Sequence, residues 1–256
     1  MAEPAVSDVA LATRGLTKSF GSLVVAKDIE ITLPKGVRYA LIGPNGAGKT
    51  TLINLMTGMV APNGGQILLD GEDVTALKPH ERVRRGLART FQINTLFPGL
   101  NALEAVTLAV CERRRIAGEF WRGLSSRTEA VDEAHEILVR LRLGDCCYQP
   151  TRELPYGRQR LLEIALALAT RPKMLLLDEP AAGVPLEESG DIFEAVAELS
   201  DAITVLFIEH DMQVVFRFAS RIIVMVGGAV FAQGTPKEIA ADPRVREVYL
   251  GKRHHG

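Results

Sequence analysis

The sequence predicts an α/β fold built around a parallel sheet, and three observations carry that prediction. Lys173–Pro180 and Ile203–His210 are nearly continuous apolar runs, as expected of strands buried on both faces, and a helical pattern follows each. A third strand, Val37–Ile42, leads into a glycine-rich loop and then a helix at Thr51–Met56. Between residues 98 and 170 strands disappear and amphipathic helical patterns take over, which reads as an inserted helical subdomain.

In chain order, residues 1–8 read as a loose tail. Val9–Phe20 and Lys27–Leu33 read as antiparallel strands, separated by turns at Gly21-Ser22 and Pro34-Lys35-Gly36. Past the glycine-rich loop, Gln66–Gly71 reads as a strand and turn, Lys78–Leu87 as a short basic helix and Ala88–Gln92 as a strand. Asn101 caps a helix running to about Ile116, and Ser126–Glu129 has capping-box spacing before a long helix. On that helix Val131, Ala134, Ile137, Leu138 and Leu141 recur at the spacing of a buried face. Leu186–Leu199 and Asp211–Phe218 read as helices, Arg221–Val226 and Ala229–Ala232 as strands joined by Gly227-Gly228. The expected organisation is one domain over 9–250. It has a mainly antiparallel β part at 9–36, a core at 37–97 and 171–250, the helical subdomain at 98–170, and a tail at 251–256.

Bulk properties narrow the function classes. Thirty Lys and Arg against 31 Asp and Glu leave a net charge of −1, with no footprint for bulk nucleic-acid binding. Cys111, Cys146 and Cys147 lack zinc-type spacing and suit a reducing cytoplasm. No apolar run approaches the ~20 residues that span a bilayer, and Met1–Asp8 has no signal pattern, so any membrane role is expected to come through a partner. The basic cluster Glu112–Arg115 with Arg122 and Arg127 reads first as a solvated helix face and second as a lipid or partner contact.

Gly43-Pro44-Asn45-Gly46-Ala47-Gly48-Lys49-Thr50-Thr51 fits the phosphate-binding loop pattern, in the strand–loop–helix context that gives the pattern a mechanism. Its glycines let backbone N–H groups converge on phosphate oxygens at a helix N-terminus. Lys49 is expected against the β- and γ-phosphates and the Thr50 hydroxyl on Mg²⁺, so the chain binds a nucleoside triphosphate. Asp178 and Glu179 end the most apolar strand, where ligands of open parallel sheets bind. Asp178 is expected to hold Mg²⁺ and Glu179 to polarise an attacking water. His210 ends the next strand and is a candidate γ-phosphate contact. Gln92 is a candidate for the metal or the attacking water. Phe20 is either an exposed ring able to stack on a base or a half-buried strand aromatic.

Together with Leu154-Pro155-Tyr156-Gly157-Arg158-Gln159, these motifs occur in the order and spacing of the ATPase subunits of ABC transporters, which the chain resembles from about Leu11 to Gly251. More narrowly, Ala88–Gln92, Leu154–Leu168, Pro180–Gly183 and Tyr249–Gly251 resemble the ATPase subunits of branched-chain (hydrophobic) amino-acid importers. The resemblance implies a P-loop NTPase (RecA-like) core with an antiparallel β subdomain and an inserted helical one, and ATP with Mg²⁺ as ligands. It implies a second ATPase subunit, the same or a similar chain, meeting this one head to tail, with Leu154–Gln159 facing the partner's nucleotide. It implies that Phe20 stacks adenine, and that Gln92 with Ile93–Leu100 couples to transmembrane permease subunits. An extracytoplasmic solute-binding protein would contribute indirectly, and the chain would sit at the cytoplasmic face of the inner membrane. Leu96–Leu100 suits a docking groove or, equally, a buried junction.

Two positions depart from the family pattern: Pro155 stands where Ser is usual, and Pro185 where Asp or Asn is usual. Slow but real ATP hydrolysis is expected, since Lys49, Asp178, Glu179 and His210 are all present. The alternatives are an ATP-dependent dimerisation clamp that barely turns over, and the ATPase of an exporter. A GTPase is disfavoured because no Asn-Lys-x-Asp base-reading motif occurs.

Overall fold

The computed structural model describes residues 8–90, 96–116 and 128–250. Gln92, Arg122 and Arg127 lie outside the described residues. The chain divides into two compact units: residues 1–87, 173–179 and 200–256 form the first, and residues 88–172 and 180–199 the second.

The first unit holds two sheets, all but the end of one edge strand, Leu87–Arg89. β1 (Val9–Phe20), β2 (Leu23–Pro34), β4 (Gly64–Leu69) and β5 (Glu72–Asp73) form an antiparallel sheet in the order β2-β1-β4-β5. The other sheet runs β10-β9-β3-β8-β7-β6, from β3 (Arg38–Ile42), β6 (Leu87–Arg89), β7 (Met174–Asp178), β8 (Thr204–Ile208), β9 (Arg221–Val226) and β10 (Ala229–Gly234). Within it β9, β3, β8 and β7 are parallel, and β10 returns antiparallel through Gly227-Gly228. The inner strands are buried along nearly their whole length, as their continuous apolar runs require.

Helix α1 (Lys49–Thr57) shares one core with both sheets: its Leu52, Leu55 and Met56 lie in the cluster that holds Leu16 and Ile29 of the antiparallel sheet and Leu41, Leu176, Ile208 and Met225 of the parallel one. Helix α2 (Pro79–Arg84) is shorter than the expected Lys78–Leu87, because the chain turns at Gly86 and enters β6 at Leu87. Helix α7 (Met212–Phe218) starts at Asp211, whose carboxylate accepts from the Gln213 N–H at 2.8 Å. The unit ends in α8 (Pro236–Ala241), opened by a Thr235–Glu238 capping box, and α9 (Pro243–Leu250).

The second unit contains α3 (Ala102–Arg113), α4 (Thr128–Arg140), α5 (Tyr156–Leu168) and α6 (Leu186–Ala197). Asn101 caps α3 as its sequence context predicts: its side chain accepts from Glu104 N–H at 2.8 Å, and Glu104 returns a bond to Asn101 N–H at 2.9 Å. Ala134 and Leu138 of α4 are buried as the spacing requires, while Leu108 of α3 points outward. Two arginines of the basic cluster are spent inside this unit. Arg113, Arg114 and Arg171 converge on Glu133 of α4 at 2.7, 2.7 and 2.9 Å. Burial alone would raise the Glu133 pKa, but the three guanidiniums outweigh it and hold the carboxyl below its usual range. Among the described residues no helix is long and apolar enough to cross a membrane.

Candidate functional site

The sheet register gathers the predicted chemistry at one edge of the first unit. Leu41 of β3 is level with Ile208 of β8, and Ile208 is level with Asp178 of β7. The strands are parallel, so the loop after Ile42, the acids ending β7 and the polar residues after β8 all emerge on the same side.

In the loop Gly43–Gly48, Gly48 occupies the cap position of α1 with φ 98°, a left-handed conformation that a side chain resists. A Cβ there would also come within 2.6 Å of the Val25 carbonyl oxygen. Hydrogen bonds from Gly228 N–H to the Ala47 carbonyl (3.0 Å) and from Lys27 N–H to the Gly228 carbonyl (2.7 Å) brace the loop from behind. The cap is a glycine with no side-chain acceptor and the first turn of α1 carries no acid, so the first-turn N–H groups, which form the positive end of the helix dipole, are left for a ligand. Thr50 is exposed on this turn and Thr51 half-buried.

Lys49 curls across the loop and donates to the Gly43 and Pro44 carbonyls at 2.7 and 3.1 Å. Burial lowers its pKa, while Glu179 and Asp178 act through the same space to raise it. The ammonium and the two acids therefore share one field, although they are 129 and more residues apart in the chain. Glu179 sits at φ 48°, uncommon for a residue with a side chain, with its N–H on the Ile208 carbonyl at 3.2 Å. This backbone turn exposes the Glu179 side chain while Asp178 remains half-buried. His210 is exposed next to the buried Glu209, whose carboxylate accepts from the His210 N–H at 3.1 Å. Asp178 and Thr50 are oxygen donors suited to a hard divalent cation that completes its shell with phosphate and water.

Phe20 takes the exposed alternative: its ring is 52 % accessible at the β1–β2 hairpin tip, with the Lys18 ammonium 5.1 Å from the ring centre. One residue that the motifs do not reveal supports the loop from the far end of α1. Arg82 of α2 is 1 % exposed and donates to the Leu55 and Met56 carbonyls (2.7 Å each), and to Thr75 and Leu77 (2.9 and 3.1 Å). It places a cation on two carbonyls in the last turn of the phosphate-loop helix, at the negative end of its dipole.

In the second unit, α5 opens at Pro155, which has φ −53° and is exposed. Leu154 is buried, Gly157 lies within the first turn, and Gln159 Nε2 donates to the Leu154 carbonyl at 2.8 Å. Arg158 is held away by Asp145 at 2.6 Å. Pro155, Gly157 and Arg158 line a cavity of about 350 Å³ with Arg142, Leu161 and Asp191. Of the segment after Gln92, Phe97, Pro98 and Gly99 are exposed. Thr151 anchors this segment, its hydroxyl donating to the Phe97 carbonyl at 2.7 Å and its N–H to the Leu100 carbonyl at 2.9 Å.

The family model described as ABC transporter matches residues 26–182, and that of the branched-chain amino acid ATP-binding cassette transporter matches residues 229–255. The chain is 39% identical over 251 residues to the high-affinity branched-chain amino acid transport ATP-binding protein BraF of Pseudomonas aeruginosa, covering 94% of this chain and 98% of that one. It superposes on the ADP conformation of an ATP-binding cassette of an ABC transporter with TM-score 0.82 at 34% identity, covering 95% of this chain and 99% of the other. A dimeric bacterial ABC transporter cassette matches with TM-score 0.74 at 27% identity, over 88% and 98% of the two chains.

Proposed function

The chain belongs to the ABC transporter ATPase family, and on that premise we propose that it powers the import of branched-chain or related hydrophobic amino acids. One observation carries the site assignment: Lys49, Asp178 and Glu179 share one electrostatic field at the carboxyl ends of adjacent parallel strands. The family hydrolyses ATP and couples hydrolysis to transport.

In this reading Gly43–Thr51 cradle the phosphates with backbone N–H groups, and Lys49 leaves the Gly43 and Pro44 carbonyls for the β- and γ-phosphate oxygens. When Mg²⁺ is bound, Thr50 and Asp178 would hold it, with Gln92 a further ligand, and it would supply neutralisation of phosphate charge. Glu179 accepts the proton of the attacking water, and His210 donates to the γ-phosphate. Phe20 stacks on adenine. Leu154–Gln159 present the N-terminus of α5 to the nucleotide of a second ATPase subunit meeting this one head to tail. Exposed Phe97 and its neighbours dock the transmembrane permease subunits, through which a solute-binding protein on the far side is served. The chain is then peripheral, at the cytoplasmic face of the inner membrane.

Phosphate release from MgATP, measured across protein concentration beside Glu179→Gln, tests the proposal. Release that climbs faster than linearly with protein and vanishes in the variant supports it. Nucleotide binding and dimerisation with no release from either protein would instead make the chain a clamp.

A further inference from the structure

The first turn of α5 and the loop that follows β7 belong to the same compact unit, and a single side chain holds both. Arg160 is 9% exposed. Its Nη2 donates to the Tyr156 phenol oxygen at 3.1 Å and to the Ala182 carbonyl at 3.4 Å, and its Nη1 donates to Glu163 at 3.1 Å. The guanidinium also lies 5.2 Å from the centre of the Tyr156 ring.

On the loop side the fit is close. Gly183 has φ +78°, and a Cβ there would stand 3.3 Å from the Tyr156 ring and phenol oxygen. Glycine at this position therefore does two things. It accepts the left-handed backbone that turns the loop, and it lets the tyrosine seat directly on the backbone. Burying a guanidinium beside a carboxyl group carries a desolvation cost that an apolar pair of equal volume avoids, so this pair is poorly explained by stability alone. A planar fork that bonds a phenol on one segment and a carbonyl on the other explains it better.

We propose that Arg160 is a positioning residue that locks the α5 N-terminus to loop 180–185 through Tyr156 and Ala182, so that the segment Leu154–Gln159 meets the partner subunit in one fixed position. This rests on the head-to-tail reading above. Arg160 is buried, with its guanidinium bonds directed to Tyr156, Glu163 and the Ala182 carbonyl. It acts by setting where Tyr156 and the loop backbone stand relative to each other, with Gly183 as the seat.

The test uses the full chain and three variants, Arg160→Met, Arg160→Lys and Tyr156→Phe. Two quantities are measured: phosphate release across protein concentration, and equilibrium binding of a fluorescent ATP analogue to dilute protein. The phosphate loop lies in the other unit, so binding to dilute protein is expected within about twofold of wild type. The maximal rate of Arg160→Met is expected to fall about tenfold, with its half-maximal point moved to higher protein concentration. Arg160→Lys keeps the charge without the fork and recovers only part of the rate. Tyr156→Phe loses the phenol bond alone and falls in between. Wild-type rate and concentration dependence in a folded Arg160→Met overturn the proposal. If Arg160→Met does not fold, Tyr156→Phe decides, and its wild-type behaviour overturns it. A wild-type rate per subunit that is independent of protein concentration overturns the paired reading itself, an outcome visible without any variant.

Discussion

At the residue scale, function concentrates in a few side chains whose positions the backbone over-determines. Lys49 is the clearest case. Burial lowers its affinity for a proton, and the two carboxylates nearby offset this only in part. Lys49→Ala is expected to reduce ATP binding and turnover by about 100-fold, since it removes the ammonium that lies across the loop on the Gly43 and Pro44 carbonyls. Titration with a fluorescent ATP analogue measures the binding loss, and an unchanged affinity would deny Lys49 its role. This residue was legible in the sequence because the phosphate loop is local: nine consecutive residues carry the motif. Arg82 was not legible. It looks like one more base in a basic helix, and only the fold reveals that it ends α1 rather than facing water. Arg82→Met leaves four carbonyls short of a charged donor and is expected to destabilise the fold by about 3 kcal/mol, read from the urea midpoint.

At the element scale, α5 carries a titration that should be visible in stability. Glu163 is buried on this helix, and burial pushes its pKa up to about 7 from the usual 4.5, against the lowering effect of Arg160. The native state thus retains a proton that the unfolded chain releases between those two values, so stability falls as pH rises from 4.5 through 7. Glu163→Gln removes the titration. The stability difference, variant minus wild type, is expected to grow by on the order of 2 kcal/mol between pH 5 and pH 8, in urea unfolding at each pH. A difference that stays flat with pH would show that Glu163 is ionised throughout. Elements varied in how plainly the sequence announced them. The Asn101 cap was readable because capping chemistry is confined to one turn, whereas Asp211, which reads as the first helical residue, proves to be the cap of α7. The two-residue β5 and the early start of β2 at Leu23 were not readable. They are set by ladder pairing across tight turns, Glu72 with Leu69 and Leu23 with Phe20, rather than by an apolar alternation that the sequence displays. The second role of Tyr156 was equally hidden, since Gly183 lies on the far side of β7 in the chain.

At the scale of the whole molecule, the open issue is how fast a pair of these chains turns over, and Pro155 is where to ask. The family pattern places Ser there, and the hydroxyl and N–H it would offer a γ-phosphate are both missing from proline. The backbone itself does not demand proline. Pro155 has φ −53° and ψ 151°, an extended cap conformation that serine adopts readily, its side chain is exposed, and α5 has no side-chain cap. Pro155→Ser should therefore leave the fold intact and add a helix cap. It should also strengthen the closed pair by one charge-assisted contact, worth about 1.5–3 kcal/mol when fully formed. If that contact forms mainly in the hydrolysing state, the maximal rate of phosphate release rises about tenfold or more, while nucleotide binding to dilute protein stays at the wild-type level. If it forms equally before hydrolysis, the rate at saturation is unchanged and only the protein concentration needed for half-maximal rate falls. A variant that matches wild type in both quantities would mean that α5 meets the partner's nucleotide through its remaining N–H groups alone, and that Pro155 has no bearing on the rate.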